Sequence, residues 1–504
     1  MERIISAVPE ILQRLDITTV FVIPGSLMEV LSELDEDPKI NLVTAYHEEQ
    51  LGFMAIGYYQ MTGRPAAIMV SQGPGETNLT TALACAYREQ IPVIVISSFQ
   101  SDTSRYYFQD TSGTRHSPNV RGIMECVTGT CFQISRELDD KDITEICRSI
   151  SVTSLPVYIA VDTNKTHDIG IFSRVEKVFQ REDDVDIKDF LHSAAQADHT
   201  AFLVGNGIRN SAAEILSMLF MYKLPVFTTL KAADIVTSSY AYSGGHVGFM
   251  GKPEANEYLA QHCMQLIALG TSLSENTLAK WYRPFSEREG TIVQIGAEQT
   301  LEIPGIKYAC YHFSVHPDRN AVLGKEISSV SSNGFEQILH SGTAKRCFVL
   351  EAYRRPFIST LSLRAGERLL MCGGFGALGS SISMATGAAV GNLDYIYVVF
   401  CGDGGFMFSG MTAMNISRLN LPVMIVINVN HEYRTVADSQ RKRMGRAVAT
   451  ELVLPGIEYS EQFWNIPTYC ARTLEAFEGI FSKFQSERTP VIVCIDDSLY
   501  ESSI

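Results

Sequence analysis

The stretch that decides the fold is Gly402–Asn430, GDGGFMFSGMTAMNISRLNLPVMIVINVN. It follows an apolar run, Tyr395–Phe400, and contains a second one, Pro422–Ile427. Neither run alternates with polar residues, which is typical of strands that a parallel sheet buries on both faces. The acid Asp403 follows the first run, and the amide Asn430 follows the second. Because ligand sites of such sheets lie at the carboxyl ends of the strands, we expect these two side chains to converge.

The residues around Asp403 favour a site for phosphate and magnesium. Gly402, Gly404 and Gly405 allow a ligand to approach the backbone closely, and their N–H groups can cradle phosphate oxygens. The Asp403 carboxylate and the Asn430 amide oxygen are hard ligands, which suit Mg²⁺ when diphosphate oxygens and water complete the octahedron. The pattern therefore predicts that a magnesium-bound diphosphate group lies at this edge of the sheet.

Similar apolar runs recur along the whole chain and alternate with helix-length stretches. The other runs are Thr19–Ile23, Ala67–Val70, Pro92–Ser97, Pro156–Val161, Ala201–Val204, Pro225–Thr228, Leu266–Leu269, Thr291–Ile295 and Pro490–Ile495. This alternation predicts βαβ units and an α/β protein of three doubly wound parallel-sheet domains. Two polar stretches, 163–186 and 328–346, suggest boundaries. We therefore expect domains at 1–165, 185–330 and 345–504.

The composition argues against several classes of protein. Of the 504 residues, 46% are hydrophobic and 19% are charged, which excludes a largely disordered chain. The net charge of −15 argues against a nucleic-acid binder or a membrane-surface protein. The 11 cysteines are scattered without a CxxC pair, so neither a disulfide framework nor a structural zinc site is expected. No apolar run reaches the roughly 18 residues of a membrane span, so we expect a cytoplasmic protein.

Three further segments lie in the first domain: Phe21–Ser26 (FVIPGS), Tyr46–Pro65 (YHEEQLGFMAIGYYQMTGRP) and Ser71–Ser97 (SQGPGETNLTTALACAYREQIPVIVIS). Together with Gly402–Asn430 they resemble the thiamine-diphosphate-dependent enzymes, and in particular acetolactate-synthase-like 2-oxo acid decarboxylases and carboligases. The signature of that family opens with GDG and closes with paired asparagines, of which Val429-Asn430 keeps the last. The resemblance covers nearly the whole chain in order, and it implies pyrimidine-binding, middle and diphosphate-binding domains.

The resemblance also implies the residues that act on the cofactor. Glu48, rather than Glu49, would be the catalytic acid, whose carboxyl group shares a proton with the aminopyrimidine ring of thiamine diphosphate. Asp403 and Asn430 would bind Mg²⁺, with the main-chain carbonyl of Glu432 as the third ligand. The other cofactor-binding residues that it implies are Gly25, Gly75, Asn78, Gly376, Leu378, Gly402, Gly404 and Gly405.

Substrate contacts are expected from a segment that follows the first motifs. Tyr107–Asp110 (YFQD) resembles the AFQE segment of acetolactate synthases, which makes Gln109 a candidate to orient a second carbonyl compound. His116 is a candidate proton donor. Arg434 is a further candidate, because a guanidinium at the mouth of the site would suit an anionic acceptor. The positive run that follows it, Arg441, Lys442, Arg443 and Arg446, is also typical of a solvated helix face. The remaining substrate candidates are Phe108 and Ser26.

The function that the resemblance implies is decarboxylation of a pyruvate-like 2-oxo acid with transfer of the acyl anion to a second carbonyl compound. A non-ligating 2-oxo acid decarboxylase and a catalytically silent cofactor-binding homologue remain alternatives. Thiamine diphosphate and Mg²⁺ are the expected cofactors, and FAD is possible but not expected. In this family Glu48 of one chain would meet Asp403 of another, so we expect a homodimer or homotetramer that binds small molecules, and no nucleic acid or membrane.

Overall fold

The computed structural model describes residues 7–99, 119–134, 138–162, 199–296, 307–308, 334–351, 361–453, 456–496 and 499. The candidates Phe108, Gln109 and His116 lie outside the described residues. The chain forms two compact units. The larger unit comprises Met1–Lys177, Gly342–Tyr353 and Leu370–Leu499, and the smaller unit comprises Val178–Ser341, Arg354–Leu369 and Tyr500–Ile504.

The first sheet lies in the larger unit and has six strands in the order β2-β1-β3-β4-β6-β5, with every neighbouring pair parallel. Its strands are β1 (Thr19–Val22), β2 (Asn41–Thr44), β3 (Ala67–Met69), β4 (Ile94–Phe99), β5 (Thr130–Ile134) and β6 (Val157–Asp162). The helices along this part of the chain are α1 (Ala7–Arg14), α2 (Met28–Glu36), α3 (Glu48–Thr62), α4 (Pro74–Asn78), α5 (Thr80–Glu89), α6 (Val120–Val127) and α7 (Asp140–Val152).

The second sheet lies in the smaller unit and also has six parallel strands, in the order β12-β11-β10-β7-β8-β9. Its strands are β7 (Thr200–Val204), β8 (Val226–Thr228), β9 (Ser243–His246), β10 (Gln265–Leu269), β11 (Thr291–Ile295) and β12 (Lys307–Tyr308). The α-helices here are α8 (Ala212–Tyr222), α9 (Pro253–Gln261), α10 (Glu275–Leu278), α11 (Tyr282–Glu287) and α12 (Gly334–Leu339), with 3₁₀ turns at Asn206–Ser211 and Leu230–Ala232.

The third sheet has seven strands in the order β14-β13-β15-β16-β19-β18-β17, and its last pair, β17 with β18, is antiparallel. Its strands are β13 (Lys345–Leu350), β14 (Arg368–Met371), β15 (Tyr395–Gly402), β16 (Val423–Asn428), β17 (Gln462–Phe463), β18 (Ile466–Cys470) and β19 (Val491–Ile495). The helices are α13 (Ser380–Gly391), α14 (Asp403–Ser409), α15 (Ala413–Arg418), α16 (Arg434–Met444) and α17 (Leu474–Glu487), with 3₁₀ turns at Gly410–Thr412 and Ile457–Tyr459.

The prediction of three parallel-sheet α/β domains is confirmed. The apolar runs form strands because both of their faces are buried. Along β1, for example, Val20 and Val22 pack into one core cluster with Ile11 of α1, whereas Phe21 points to the opposite face and packs into another. Among the described helices, none is long and apolar enough to cross a membrane.

Two helices join the first and third sheets of the larger unit into one core. Buried residues of α3 and α13 belong to the same apolar cluster as residues from both sheets. The two helices touch backbone to backbone: a Cβ atom on Gly57 would lie 2.0 Å from the Met384 carbonyl oxygen, and one on Gly387 would lie 1.9 Å from the Met54 carbonyl oxygen. A side chain at either position would therefore force the helices apart.

We expect Gly57→Ala and Gly387→Ala each to lower the unfolding temperature of the purified protein, because overpacking of a tight contact costs about 1–3 kcal/mol. Gly479→Ala in α17 is the matched control, since a Cβ atom there would meet nothing within 4 Å. Alanine in an open helix position is expected to be neutral or stabilising by up to about 1 kcal/mol. Unchanged thermal unfolding of both the Gly57 and the Gly387 variants would show that the helices do not meet at these glycines.

Candidate active site

The carboxylate of Asp403 joins the ends of two neighbouring strands. β15 and β16 are parallel with Gly402 beside Asn428, and the chain runs from Gly402 directly into α14, whose first residue is Asp403. The buried carboxylate accepts hydrogen bonds from the backbone N–H groups of Asn430 at 3.1 Å and His431 at 2.5 Å. The expected convergence of Asp403 and Asn430 is therefore present in the structure.

The loop after β16 presents several oxygen atoms beside this carboxylate. His431 has a left-handed backbone with φ 55°, and the Asn430 amide oxygen accepts a hydrogen bond of 3.3 Å from the Glu432 N–H group. The Glu432 carbonyl accepts one from the Arg434 N–H group at 2.8 Å, across a tight turn centred on Tyr433. The loop thus presents one amide and one carbonyl group close together along the chain, and its hydrogen bonds to Asp403 place them near that carboxylate.

The glycines in the first turn of α14 have a packing role that the sequence argument did not foresee. The Gly404 N–H group already donates to Oδ1 of Asp403 at 2.9 Å. A Cβ atom on Gly404 would lie 2.8 Å from the ring of Tyr433, and one on Gly405 would lie 3.1 Å from the side chain of Glu351. The absence of side chains at Gly404 and Gly405 therefore makes room for Tyr433 and Glu351. Their predicted role as a phosphate cradle stays a prediction.

Glu351 is a buried acid that the sequence analysis missed. It follows β13, and its carboxylate accepts hydrogen bonds from the Ser380 hydroxyl at 3.1 Å and the Ser381 hydroxyl at 2.9 Å. Both serines open α13, where a negative charge is favourable. A glutamate at the end of an apolar run is the only local sign of this role in the sequence.

The turn before α13 contains Gly376 and Leu378. Gly376 and Gly379 have φ values of 78° and 81°, a conformation that favours glycine. Leu378 is half-buried between them. The Gly374 N–H group donates to the carboxylate of Glu89 at 2.8 Å, which ties this turn to α5.

A second group of candidates surrounds the first residue of α3. The Oε2 atom of Glu48 accepts a hydrogen bond of 2.9 Å from the amide of Asn78, and a Cβ atom on Gly75 would lie 3.6 Å from its Oε1 atom. His47 caps the helix by accepting from the Glu49 N–H group at 3.3 Å. The structure therefore brings Glu48, Gly75 and Asn78 together, as the resemblance implied. Burial raises the pKa of Glu49 above its ordinary value.

The candidates after β1 lie at the carboxyl edge of the first sheet. The hydroxyl groups of Ser26 and Ser98 are hydrogen-bonded to each other. Gly25 lies so close to Ser71 that a Cβ atom on it would fall 1.6 Å from the serine hydroxyl oxygen. Gly25 therefore has to be glycine for the loops after β1 and β3 to pack.

The segment that leads to Glu48 is clamped by α15. The Arg418 guanidinium donates to the hydroxyl and to the carbonyl oxygen of Thr44, both at 2.7 Å. The amide of the buried Asn415 also donates to the Thr44 carbonyl. Thr44 is the last residue of β2 and stands four positions before Glu48. α15 thus holds the approach to Glu48 in the same chain.

Arg434 contacts acids rather than an open site. Its guanidinium lies 3.2 Å from the carboxylate of Asp438 and 3.5 Å from that of Glu432. Arg441 pairs with the same two acids, at 2.6 Å from Glu432 and 3.2 Å from Asp438. These two carboxylates partly offset the charge of Arg434. That Arg434 binds an anionic acceptor stays a prediction.

In the smaller unit, the glycine turns after β7 and β10 pack directly against each other. The Gly207 N–H group donates to the Gly270 carbonyl oxygen at 2.9 Å, and a Cβ atom on Gly205 would lie 2.2 Å from the same oxygen. Nearby, Arg209 forms a two-pronged ion pair with the buried Asp234.

Among the described residues, no group of three or more His, Cys, Asp or Glu side chains is arranged to hold a metal.

Comparison with known families covers all three sheets. The N-terminal TPP binding domain of thiamine pyrophosphate enzymes matches residues 3–117, their central domain matches residues 187–302, and their C-terminal TPP binding domain matches residues 357–494. The chain belongs to the thiamine pyrophosphate enzyme family. The two TPP binding domains contain Glu48 and Asp403, respectively, so thiamine pyrophosphate, also called thiamine diphosphate, is its cofactor.

Curated members of this family resemble the chain over most of its length. It is 24% identical over 470 residues to the acetolactate synthase isozyme 1 large subunit of Escherichia coli (strain K12), which covers 82% of this chain and 79% of the relative. It is 24% identical over 464 residues to isozyme 2 of the same organism, with 84% and 82% covered. It is 25% identical over 475 residues to the chloroplastic acetolactate synthase of Arabidopsis thaliana, with 83% and 68% covered.

The clamp on Thr44 leads to a prediction about Arg418. We expect Arg418→Ala to speed hydrogen–deuterium exchange of the backbone amides at 44–50 by about 2- to 10-fold, because a lost hydrogen bond of about 0.5–1.5 kcal/mol favours local opening. The exposed Arg472 provides the control, since Arg472→Ala removes the same side chain elsewhere. Equal exchange in the two variants would mean that α15 does not hold this segment.

Proposed function

We propose that this protein uses thiamine diphosphate to decarboxylate a 2-oxo acid and to transfer the acyl anion to a second carbonyl compound. The observation that carries the proposal is the pair of prepared carboxylates in the two TPP binding domains. One, Asp403, is fixed by backbone N–H groups beside Asn430 and Glu432, and the other, Glu48, is fixed by Asn78 at the start of a buried helix. The resemblance to acetolactate synthases supports the transfer step.

Asp403 and the loop after β16 together offer oxygen donors that fit a magnesium ion. The Asp403 carboxylate, the Asn430 amide oxygen and the Glu432 carbonyl are hard oxygen donors, and Mg²⁺ is commonly held by few protein ligands together with substrate phosphates. The Asn430 amide oxygen has one long hydrogen bond of 3.3 Å, so it can turn to a cation at little cost. These three groups would hold the ion, and the diphosphate of the cofactor would complete its coordination.

When bound, thiamine diphosphate supplies the carbon nucleophile and the electron sink that decarboxylation of a 2-oxo acid requires. The role of Glu48 is to hold a proton at the aminopyrimidine ring. The Asn78 amide donates to Oε2, which orients the carboxyl group and leaves Oε1 to share that proton. Because Glu48 is the first residue of α3, the start of a buried helix fixes the backbone from which its carboxyl group extends.

We propose further that two copies of the chain complete the site. The hydrogen bonds of Glu48 go to residues of the first TPP binding domain, and those of Asp403 go to residues of the second. The family resemblance implies that each copy supplies one half. Large apolar side chains that are exposed around the glycine turn and α14 support such an association, namely Phe375, Met407, Phe408 and Met411. We also propose domains at 1–165, 185–330 and 345–504. A cytoplasmic location is a separate proposal.

We expect Glu48→Gln to lower kcat for pyruvate decarboxylation by about 100-fold or more, because an amide cannot exchange the proton that general acid–base catalysis moves. Binding of thiamine diphosphate, measured by calorimetry, should remain. Glu49→Gln is the matched control, since it makes the same change one residue later, and its kcat should stay within about 10-fold. Loss of turnover in the Glu49 variant with normal turnover in the Glu48 variant would contradict the assignment.

The products of the wild-type protein distinguish the two enzymatic alternatives. Pyruvate is supplied with and without acetaldehyde, and the products are identified by NMR. A ligated hydroxy ketone or hydroxy acid supports acyl transfer, whereas acetaldehyde alone supports the non-ligating decarboxylase. If neither forms while thiamine diphosphate binds, the protein is a cofactor-binding homologue without this activity.

A further inference from the structure

A buried carboxyl group that the proposed chemistry does not use lies within the turn that contacts Glu48. Glu76 is 1% exposed and belongs to the short helix α4, between Gly75 and Asn78. Burial of an acid is costly unless it is paired or keeps its proton, so this residue requires a reason. Nothing in the apolar periodicity of the sequence marks it, because it stands inside a glycine-rich turn.

The carboxyl group of Glu76 ties the turn to the first sheet. Its Oε2 atom accepts a hydrogen bond of 2.7 Å from the N–H group of Gly73, the residue before α4. Its Oε1 atom accepts one of 2.5 Å from the hydroxyl of Tyr158 on β6. The acid therefore closes the turn at one end and fastens it to β6 at the other.

The turn in question is the one that orients Glu48. Gly73 has φ 78° and ψ −109°, a conformation that only glycine adopts readily, so the turn depends on being held. Two residues after Glu76, the Asn78 amide donates to Oε2 of Glu48 at 2.9 Å. Any shift of α4 would move this amide and with it the carboxyl group of Glu48.

We propose that Glu76 is a positioning residue, which holds the Gly73–Asn78 turn so that the Asn78 amide orients the carboxyl group of Glu48. This inference rests on the proposed function of Glu48. The described hydrogen bonds of the Glu76 carboxyl group go to Gly73 and Tyr158, so it would act on Glu48 only through the turn.

The surroundings of Glu76 disfavour its ionised form. Its described hydrogen-bond partners are a phenol and a backbone N–H group, and neither carries a positive charge. Burial raises the pKa of Glu76, while the bonds from Tyr158 and Gly73 lower it by less. The charged and titratable groups around the pair are Glu48 on α3, Cys131 on β5, Arg121 on α6 and Tyr158, whose pKa burial also raises.

The raised pKa of Glu76 sets the direction in which pH changes the stability of the folded protein. In the unfolded chain a glutamate ionises near its ordinary pKa, whereas in the folded protein Glu76 keeps its proton to higher pH. The folded state therefore binds more protons across that interval, and stability falls as the pH rises through it. The ionised carboxylate would also strain its buried site, so the turn should loosen at the alkaline end of the same interval.

The test compares wild type, Glu76→Gln and Tyr158→Phe as full-length holoproteins between pH 5 and pH 9. Glutamine is neutral at every pH and keeps the shape of the protonated acid. We expect the unfolding temperature of Glu76→Gln, relative to wild type, to increase as the pH rises. With pyruvate as substrate, we expect the alkaline fall in kcat/KM to move to higher pH in Glu76→Gln. Tyr158→Phe removes a bond that lowers the pKa of Glu76, so its alkaline fall should move in the same direction.

Two results would overturn the proposal. One is a constant difference in unfolding temperature across the pH range, which means that Glu76 carries no anomalous proton. The other is a pH profile of kcat/KM that is superimposable in all three proteins, which means that Glu76 has only a structural role. If Glu76→Gln does not fold, Tyr158→Phe decides by the same two readouts. Absence of turnover in the wild type with any 2-oxo acid would defeat the proposed function instead, while the unfolding measurement and exchange of the 73–78 amides still test Glu76.

Discussion

The backbone contact between α3 and α13 is the constraint on which the candidate site depends. Two glycines, Gly57 and Gly387, let these helices meet without side chains between them, and the helices share one apolar core with the first and third sheets. α3 begins at Glu48, and α13 begins just after the turn that holds Gly376 and Leu378. The close contact between α3 and α13 therefore fixes the positions of Glu48 and of the turn with Gly376 and Leu378 at the edge of the core.

The site concentrates buried carboxyl groups, and each is stabilised in a different way. Asp403 accepts hydrogen bonds from three backbone N–H groups, which fix its carboxylate beside the loop after β16. Glu351 accepts from two serines at the start of α13. Glu76 accepts from a phenol and a backbone N–H group, and burial raises its pKa. The same functional group thus serves as a metal ligand in our proposal, as a helix cap and as a brace for a turn, because its neighbours differ.

The sequence predicts the parts of this arrangement that depend on local order. Unbroken apolar runs mark buried strands, and an acid and an amide at the ends of two such strands meet because the strands are neighbours, as β15 and β16 are. Contacts between distant segments leave no such periodic sign. The bond from Tyr158 to Glu76 spans 82 positions, and Arg418 reaches Thr44 across 374.

The role of a glycine depends on the neighbour that fills the space beside it. Gly404 and Gly405 suggest a phosphate cradle, and in the structure they make room for Tyr433 and Glu351. Gly57 stands in an otherwise apolar helix, where the sequence alone does not show that it faces another backbone. In each case the identity of the neighbour comes from tertiary packing, and a missing side chain looks the same in the sequence whatever fills the space.

In our proposal, Asp403, the loop after β16 and Glu48 hold magnesium-bound thiamine diphosphate. The most direct measurement is calorimetric titration of the purified wild-type protein with thiamine diphosphate, first in excess MgCl₂ and then in excess EDTA. We expect saturable binding of one cofactor per chain in magnesium and strong weakening in EDTA. Absence of binding at saturating magnesium would contradict it.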